Sequence, residues 1–222
     1  GTGRFLYNDG TNTFTAMPAF KSFASPSESL SITENPTFVT NTASQFNFLN
    51  LDPLIPTQAE SGALPITNYP SDYSGTIRNI STPDIGAWEG NFTQADIFPP
   101  TISSIGFSSP NCNLSGTTMT VVIKDTSGVK TGSLSPRLYY RLNFGLYTSV
   151  QGTLSAGTTT NGVWTFPMTY AASPGDAIQY FFAVMDDSPL VNFTVVPTAT
   201  NTVASDVNNV TVPPNPAYSY TL

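Results

Sequence analysis

The stretch Asp72-Tyr73-Ser74-Gly75-Thr76-Ile77-Arg78, followed closely by Asp84-Ile85-Gly86-Ala87-Trp88-Glu89, constrains the fold more than any other part of this 222-residue chain. Two glycines, one arginine and three acids surround a short apolar strand. Glycine supplies the φ > 0 that tight turns need. A solenoid end has unpaired strand edges that need capping, and an arginine among acids can tie the last turn through charge-assisted bonds. The pattern therefore reads as the closing turn of a stacked β structure rather than as a catalytic centre. It divides the chain into what ends there and what begins after it.

Composition agrees with a β-rich chain. Charged residues make up only 9%, far below the usual quarter of a globular domain, with Thr, Ser and Asn in their place. Ala-Leu-Glu-Lys runs that favour helix are few. The 19 Pro and 16 Gly punctuate short Thr, Val, Tyr and Phe segments. Aromatics at 12% supply enough apolar area for a core, which argues against disorder. Residues 1–97 hold nine acids against three bases, and residues 98–222 hold five against four. An acidic surface repels phosphate backbones, so nucleic acid is not an expected partner. No apolar run approaches the roughly 20 residues that span a bilayer, so no membrane insertion is expected. The chain has no His and a single cysteine, Cys112. That removes an internal disulfide, Cys-based zinc sites and a Ser-His-Asp triad. The opening Gly1-Thr2-Gly3-Arg4, without an initiator Met, reads as the interior of a longer chain.

Along residues 1–97 run short extended pieces separated by polar turns: 4–7, 13–15, 19–23, 37–39 and 46–51. Only Gln58-Ala59-Glu60-Ser61 suggests even one helical turn. Pieces this short cannot bury their own apolar face and need neighbours above and below, as in a β-solenoid. Residues 90–101 form a linker stiffened by Pro99-Pro100. From residue 101 onwards longer alternating segments recur, at 101–107, 117–124, 136–143, 148–154, 163–170 and 177–184, with 205–212 and 217–222 supplying the last strand or two. Seven strands in about 120 residues with frequent Gly and Pro turns match a β-sandwich of the immunoglobulin kind. Trp164 and one of Tyr139 and Tyr140 are expected in its core, because neighbours along a strand point to opposite faces.

On these residues the chain resembles a known arrangement. Asn35-Pro36-Thr37-Phe38-Val39, Leu51-Asp52-Pro53-Leu54 and the Asp72…Glu89 element are similar to the C-terminal end of right-handed parallel β-helix domains in large secreted bacterial surface proteins. Asp125-Thr126-Ser127-Gly128-Val129, Pro136-Arg137-Leu138-Tyr139-Tyr140-Arg141 and Gly175-Asp176-Ala177 through Asp186 resemble the immunoglobulin-like or fibronectin-like module that follows such helices. The expected fold is all-β: end rungs and cap of a parallel β-helix over 1–97, then an immunoglobulin-like β-sandwich over 98–222. The resemblance, to type IX secretion substrates and gliding-type adhesins, implies extracellular surface display and adhesion or spacing, and no reaction.

Four clusters are candidates. Arg78 with Asp72, Asp84 and Glu89 reads as a structural cap, with a substrate or ion site as the alternative. Asp125, Asp186 and Asp187 end two strands whose following loops lie at one end of a Greek-key sandwich. Oxygen ligands of this kind suit Ca²⁺, while the favoured reading is turn chemistry, with Asp and Ser bonding local N–H groups. Tyr69 and Tyr73 lie in a Pro-Ser turn region and are candidates for stacking on carbohydrate. Asp9, Glu28, Glu34 and Glu60 supply carboxylates without a spacing that pairs them across a groove. Five Asn-X-Ser/Thr sequons, at Asn79, Asn91, Asn113, Asn192 and Asn209, follow from the Asn- and Thr-rich composition. The leading expectation is a non-catalytic surface module, adhesive or a spacer, with carbohydrate or another surface protein as partner. The alternative is an accessory region of a β-helix polysaccharide lyase or glycoside hydrolase.

Overall fold

Four aromatic rings, those of Tyr7, Phe14, Phe20 and Phe23, organise the beginning of the chain. In the computed structural model, which describes residues 6–15, 17–28, 31–107, 113–189, 191–198 and 202–222, β1 (Tyr7–Asn8) and β2 (Thr13–Phe14) form a short antiparallel hairpin. Asp9 closes it by accepting the N–H groups of Thr11 and Asn12. The helix α1 (Met17–Ala24) follows. This corrects the expected extended piece over 19–23. Phe20 and Phe23, three apart, share one helix face. There they meet the hairpin: Tyr7 stacks on Phe20 at 4.9 Å and Phe14 approaches Phe23 at 5.0 Å. Ring contacts unavailable to a flat strand outweigh the β preference of Phe. Cys112 lies outside the described residues.

By its contacts the chain divides into two units, Gly1–Ala95 and Asp96–Leu222. In the remainder of the first unit the backbone runs through turns joined by isolated bridges. Phe38 faces Leu51 and Ser71 faces Ile77 in antiparallel sense; Thr40 with Phe48 and Thr57 with Gln94 are parallel. Regular parallel rungs stacked on one another are not found among the described residues. The buried apolar residues here are few and mostly small: Leu51, Ala59 and Ala95. Thr57, Asp72 and Asp84 are buried beside them. Order in this unit thus rests heavily on hydrogen bonds.

The second unit is a sandwich-like pair of antiparallel sheets. Its strands are β3 (Thr101–Phe107), β4 (Gly116–Lys124), β5 (Arg137–Leu142), β6 (Thr148–Gln151), β7 (Thr153–Gly157), β8 (Asn161–Thr169), β9 (Ala177–Met185), β10 (Phe193–Val196), β11 (Val203–Asp206), β12 (Asn209–Val212) and β13 (Tyr218–Thr221). One sheet has the order β3-β4-β8-β7. The other runs β10-β9-β5-β6, with β13 also paired to β9. Alternation builds the core between them. Met119, Val121 and Ile123 of β4 and Trp164, Phe166 and Met168 of β8 meet Leu138, Tyr140, Ile178, Tyr180, Phe182 and Val184. Tyr140, not Tyr139, enters this core.

Two features go beyond the sequence reading. The expected single strand over 148–154 is two strands, because the chain passes from one sheet to the other at Gly152. A Cβ there would stand 2.5 Å from the Phe166 ring, so only glycine lets the crossing lie this close. The last strand is also divided. β10 pairs with one half of β9 and β13 with the other half. Between them the β11–β12 hairpin makes a second small core, where Val207 packs with Phe181, Ala183, Met185 and Val195. Tyr139 joins it, stacked on Phe181 at 4.8 Å and donating to the Val207 carbonyl at 2.8 Å.

Overpacking at the crossing is expected to cost about 1–3 kcal/mol. Gly152→Ala in a Trp88→Phe background, unfolded in urea and followed at Trp164, should therefore show a lower midpoint; an unchanged midpoint contradicts the close approach.

Candidate functional site

The acids of the first unit face the backbone. Asp72 begins the turn through Gly75 (φ +87). Its Oδ1 accepts the N–H groups of Ser74 and Thr76 and the Ser74 hydroxyl, each at 2.8 Å, and its Oδ2 accepts Glu89 N–H at 2.8 Å. Asp84, 3% exposed, accepts the N–H groups of Ser61 and Gly90. Glu89 accepts those of Asn79 and Asp84. Arg78 pairs with Glu89 at 3.3 Å and donates to the carbonyls of Asp84 (3.0 Å) and Gly86 (2.6 Å). The four residues singled out in the sequence thus form one network. Of the three acids only Glu89 pairs with Arg78; Asp72 and Asp84 give their side-chain oxygens to backbone N–H groups. Glu60, read from sequence only as a surface acid, does the same with Phe92 N–H. Burial pushes the Asp84 carboxyl above its ordinary value, against the pull of its backbone bonds. Burial pushes Asp72 the same way, but its bonds from Glu89, Ser74 and Thr76 outweigh it and hold the carboxyl below the ordinary range.

In the second unit, Asp96, Asp125 and Asp186 bring carboxylate oxygens within 4.8 Å of one another. Asp96 precedes β3, Asp125 follows β4 and Asp186 follows β9. The sequence singles out Asp125 and Asp186; the third member is Asp96 rather than Asp187. Asp187 is exposed and pairs with Lys130 at 3.0 Å. Asp96 lies in the linker, 29 residues from Asp125 in sequence, and no local pattern links the two. Ser127 N–H joins them, bonding both Asp96 Oδ2 and Asp125 Oδ1 at 3.0 Å. Asn192 completes the group. Its amide bonds Asp186 at 2.6 Å and the Asp96 carbonyl at 3.0 Å. The sequon at this position thus contributes a structural amide.

Asp186 is 0% exposed, and both ion pairs among the described residues lie elsewhere. Two like charges at about 4–5 Å repel by about 3–4 kcal/mol at an effective dielectric of 20. Burial, then Asp96 and Asp186, push Asp125 up to about 6. A proton or a hard cation would relieve this charge, and an all-oxygen donor set fits Ca²⁺ in chemistry.

Tyr69 and Tyr73 are both exposed and line one depression of about 560 Å³ with Leu64 and Ile66. Tyr73 also meets Trp88 edge-on at 5.5 Å. A second, more apolar groove of about 720 Å³ lies along Phe38, Phe48, Leu51 and Trp88. The sequence signal for it is weak, because its walls come from turns distant in the chain.

Comparison with protein-family models, curated proteins and solved structures finds no match to this chain.

Two outcomes are expected. Arg78→Ala leaves Glu89 uncompensated and two carbonyls unbonded, at a cost of about 1–3 kcal/mol. Hydrogen exchange should speed up over residues 72–92 and stay unchanged over 116–124; equal protection in both variants argues against the cap. The second outcome concerns pH. Folded Asp125 keeps its proton up to about pH 6, whereas its ordinary value is 3.8. Its contribution to folding is complete below pH 3.8 and lost as pH rises through 6. With chelator present, the unfolding temperature read at Trp164 in the Trp88→Phe chain should therefore fall between pH 5 and pH 7, and Asp125→Asn should flatten that slope.

Proposed function

We propose that this chain is a non-catalytic module of a secreted, cell-surface bacterial protein, serving adhesion or spacing. In this reading the first unit is the end and cap of a parallel β-helix. The second is an immunoglobulin- or fibronectin-like sandwich, and the chain is part of a longer surface protein. The observation that carries the proposal is the use made of the acids. Asp72, Asp84, Glu60 and Glu89 all hold backbone N–H groups, which is the work of a scaffold, whereas a hydrolytic pair faces a groove across a substrate. The sheet orders β3-β4-β8-β7 and β10-β9-β5-β6 support the immunoglobulin-like reading of the second unit.

Within this reading, Asp96, Asp125 and Asp186 bind Ca²⁺, which ties the segment entering β3 to the loops after β4 and β9. Exposed Tyr69 and Tyr73 offer faces for stacking on sugar rings. Among the described residues no helix is long and apolar enough to cross a membrane.

Glycan-array binding by the 222-residue chain tests adhesion. Binding is expected, with loss in a Tyr69→Ala/Tyr73→Ala variant. Release of reducing ends or unsaturated products from any polysaccharide by the purified chain defeats the non-catalytic reading. For the cation, millimolar Ca²⁺ should raise the Trp164-monitored unfolding temperature at pH 7 in the Trp88→Phe chain. Asp186→Asn should abolish the rise, and a calorimetric titration without heat removes the metal from the proposal.

A further inference from the structure

We propose that copies of this chain associate head to tail, with the loop between β5 and β6 of one copy seated in the apolar groove of the next copy's first unit. The inference is independent of the adhesive reading and rests on two unlike surfaces.

The groove is concave, about 720 Å³, within the range of sites that take an apolar group of side-chain size. Phe46 and Tyr73 line it and are 99% and 83% exposed. Large side chains so open to water are unfavourable unless covered, and contiguous apolar patches mark interaction sites. Glu34 is the one ionisable carboxylate in its lining. One of its oxygens accepts Gln58 N–H at 2.8 Å, and no ion pair involves it among the described residues.

The loop is convex. Phe144 is 72% exposed and Leu146 95%. It is also held in shape. Asn143 and Phe144 both take left-handed backbone angles, φ 46 and φ 61, unusual for residues with a Cβ. Asn143 is fixed by its bonds to Asp176 (2.7 Å) and to the Ala177 N–H and carbonyl (2.9 Å each). The Arg141 guanidinium lies over the rings of Tyr147 at 4.5 Å and Phe144 at 5.5 Å. A strained, pinned loop that presents apolar side chains loses little freedom on docking. Arg141 bonds Gln179 and has no carboxylate partner among the described residues. Its charge complements Glu34, the carboxylate of the groove.

The loop and the groove are unlike surfaces, so seating one loop in one groove leaves a second loop and a second groove in the pair, free to engage each other or further copies.

Sedimentation of the 222-residue chain over a concentration series tests this. The average mass should rise with concentration above that of the monomer. A loop variant, Phe144→Ser/Leu146→Ser, and a groove variant, Phe46→Glu, should each be monomeric alone. Mixed, they should form a one-to-one dimer and stop, since together they retain one intact loop and one intact groove. Arg141→Gln should weaken association about three- to tenfold and reduce its salt dependence. Because Phe46, Phe144 and Leu146 are exposed, circular dichroism of the loop and groove variants should match the parent chain. As a second measurement, a Cys112→Ser chain carrying Leu146→Cys mixed with one carrying Phe46→Cys should cross-link under oxidation. A parent chain that stays monomeric at millimolar concentration, variants that associate as the parent does, or a mixture that stays monomeric each overturn the proposal.

Discussion

Burial of β9 on both faces is the constraint from which the second unit follows. Phe182 and Val184 point into the space between the sheets, while Phe181, Ala183 and Met185 point the other way. A strand with two apolar faces is stable only when both are covered. The opposing sheet covers one. The β11–β12 hairpin covers the other, and this is why the edge strand beside β9 is divided into β10 and β13. The buried end of β9 then places Asp186, fully buried, beside Asp125 after β4 and Asp96 before β3. The acidic cluster is a consequence of how that strand is held.

The first unit relies on a different interaction. Its few buried apolar side chains are supplemented by carboxylates that accept backbone N–H groups, two or more each for Asp72, Asp84 and Glu89. Charge-assisted bonds of this kind are stronger than neutral ones. They replace, turn by turn, the ladder that a regular sheet supplies. A single guanidinium, that of Arg78, closes the network by bonding one acid and two carbonyls. Such a unit stays ordered locally while leaving large apolar side chains open to solvent, and those open residues are the ones available to a partner.

The two units also use acids to opposite electrostatic effect. Asp72, surrounded by donors, is held below its ordinary range, so acidification is what weakens it. Asp125, surrounded by other carboxylates, is pushed to about 6, so neutral pH without a cation is what weakens it. Residue type is the same in both places; the neighbours decide the sign.

Much of this was legible in the residues themselves. Period-two alternation located β3, β4, β8 and β9 closely, and it placed Trp164 in the core, because alternation is a local property of a strand. Gly75 and Asp72 announced a turn, and the grouping of Arg78 with Asp72, Asp84 and Glu89 was visible because all lie within 18 residues. Tertiary structure alone decided the rest. The helix over Met17–Ala24 depends on rings contributed by a hairpin that precedes it. The break at Gly152 depends on the position of Phe166 in another strand. The entry of Asp96 in place of Asp187 depends on three loops meeting, which no spacing along the chain encodes. Sequence by itself determined where the chain can extend and turn, since those preferences belong to single residues and near neighbours. Which side chains meet was decided by the packing of one strand buried on both sides, a condition satisfied only when distant segments come together.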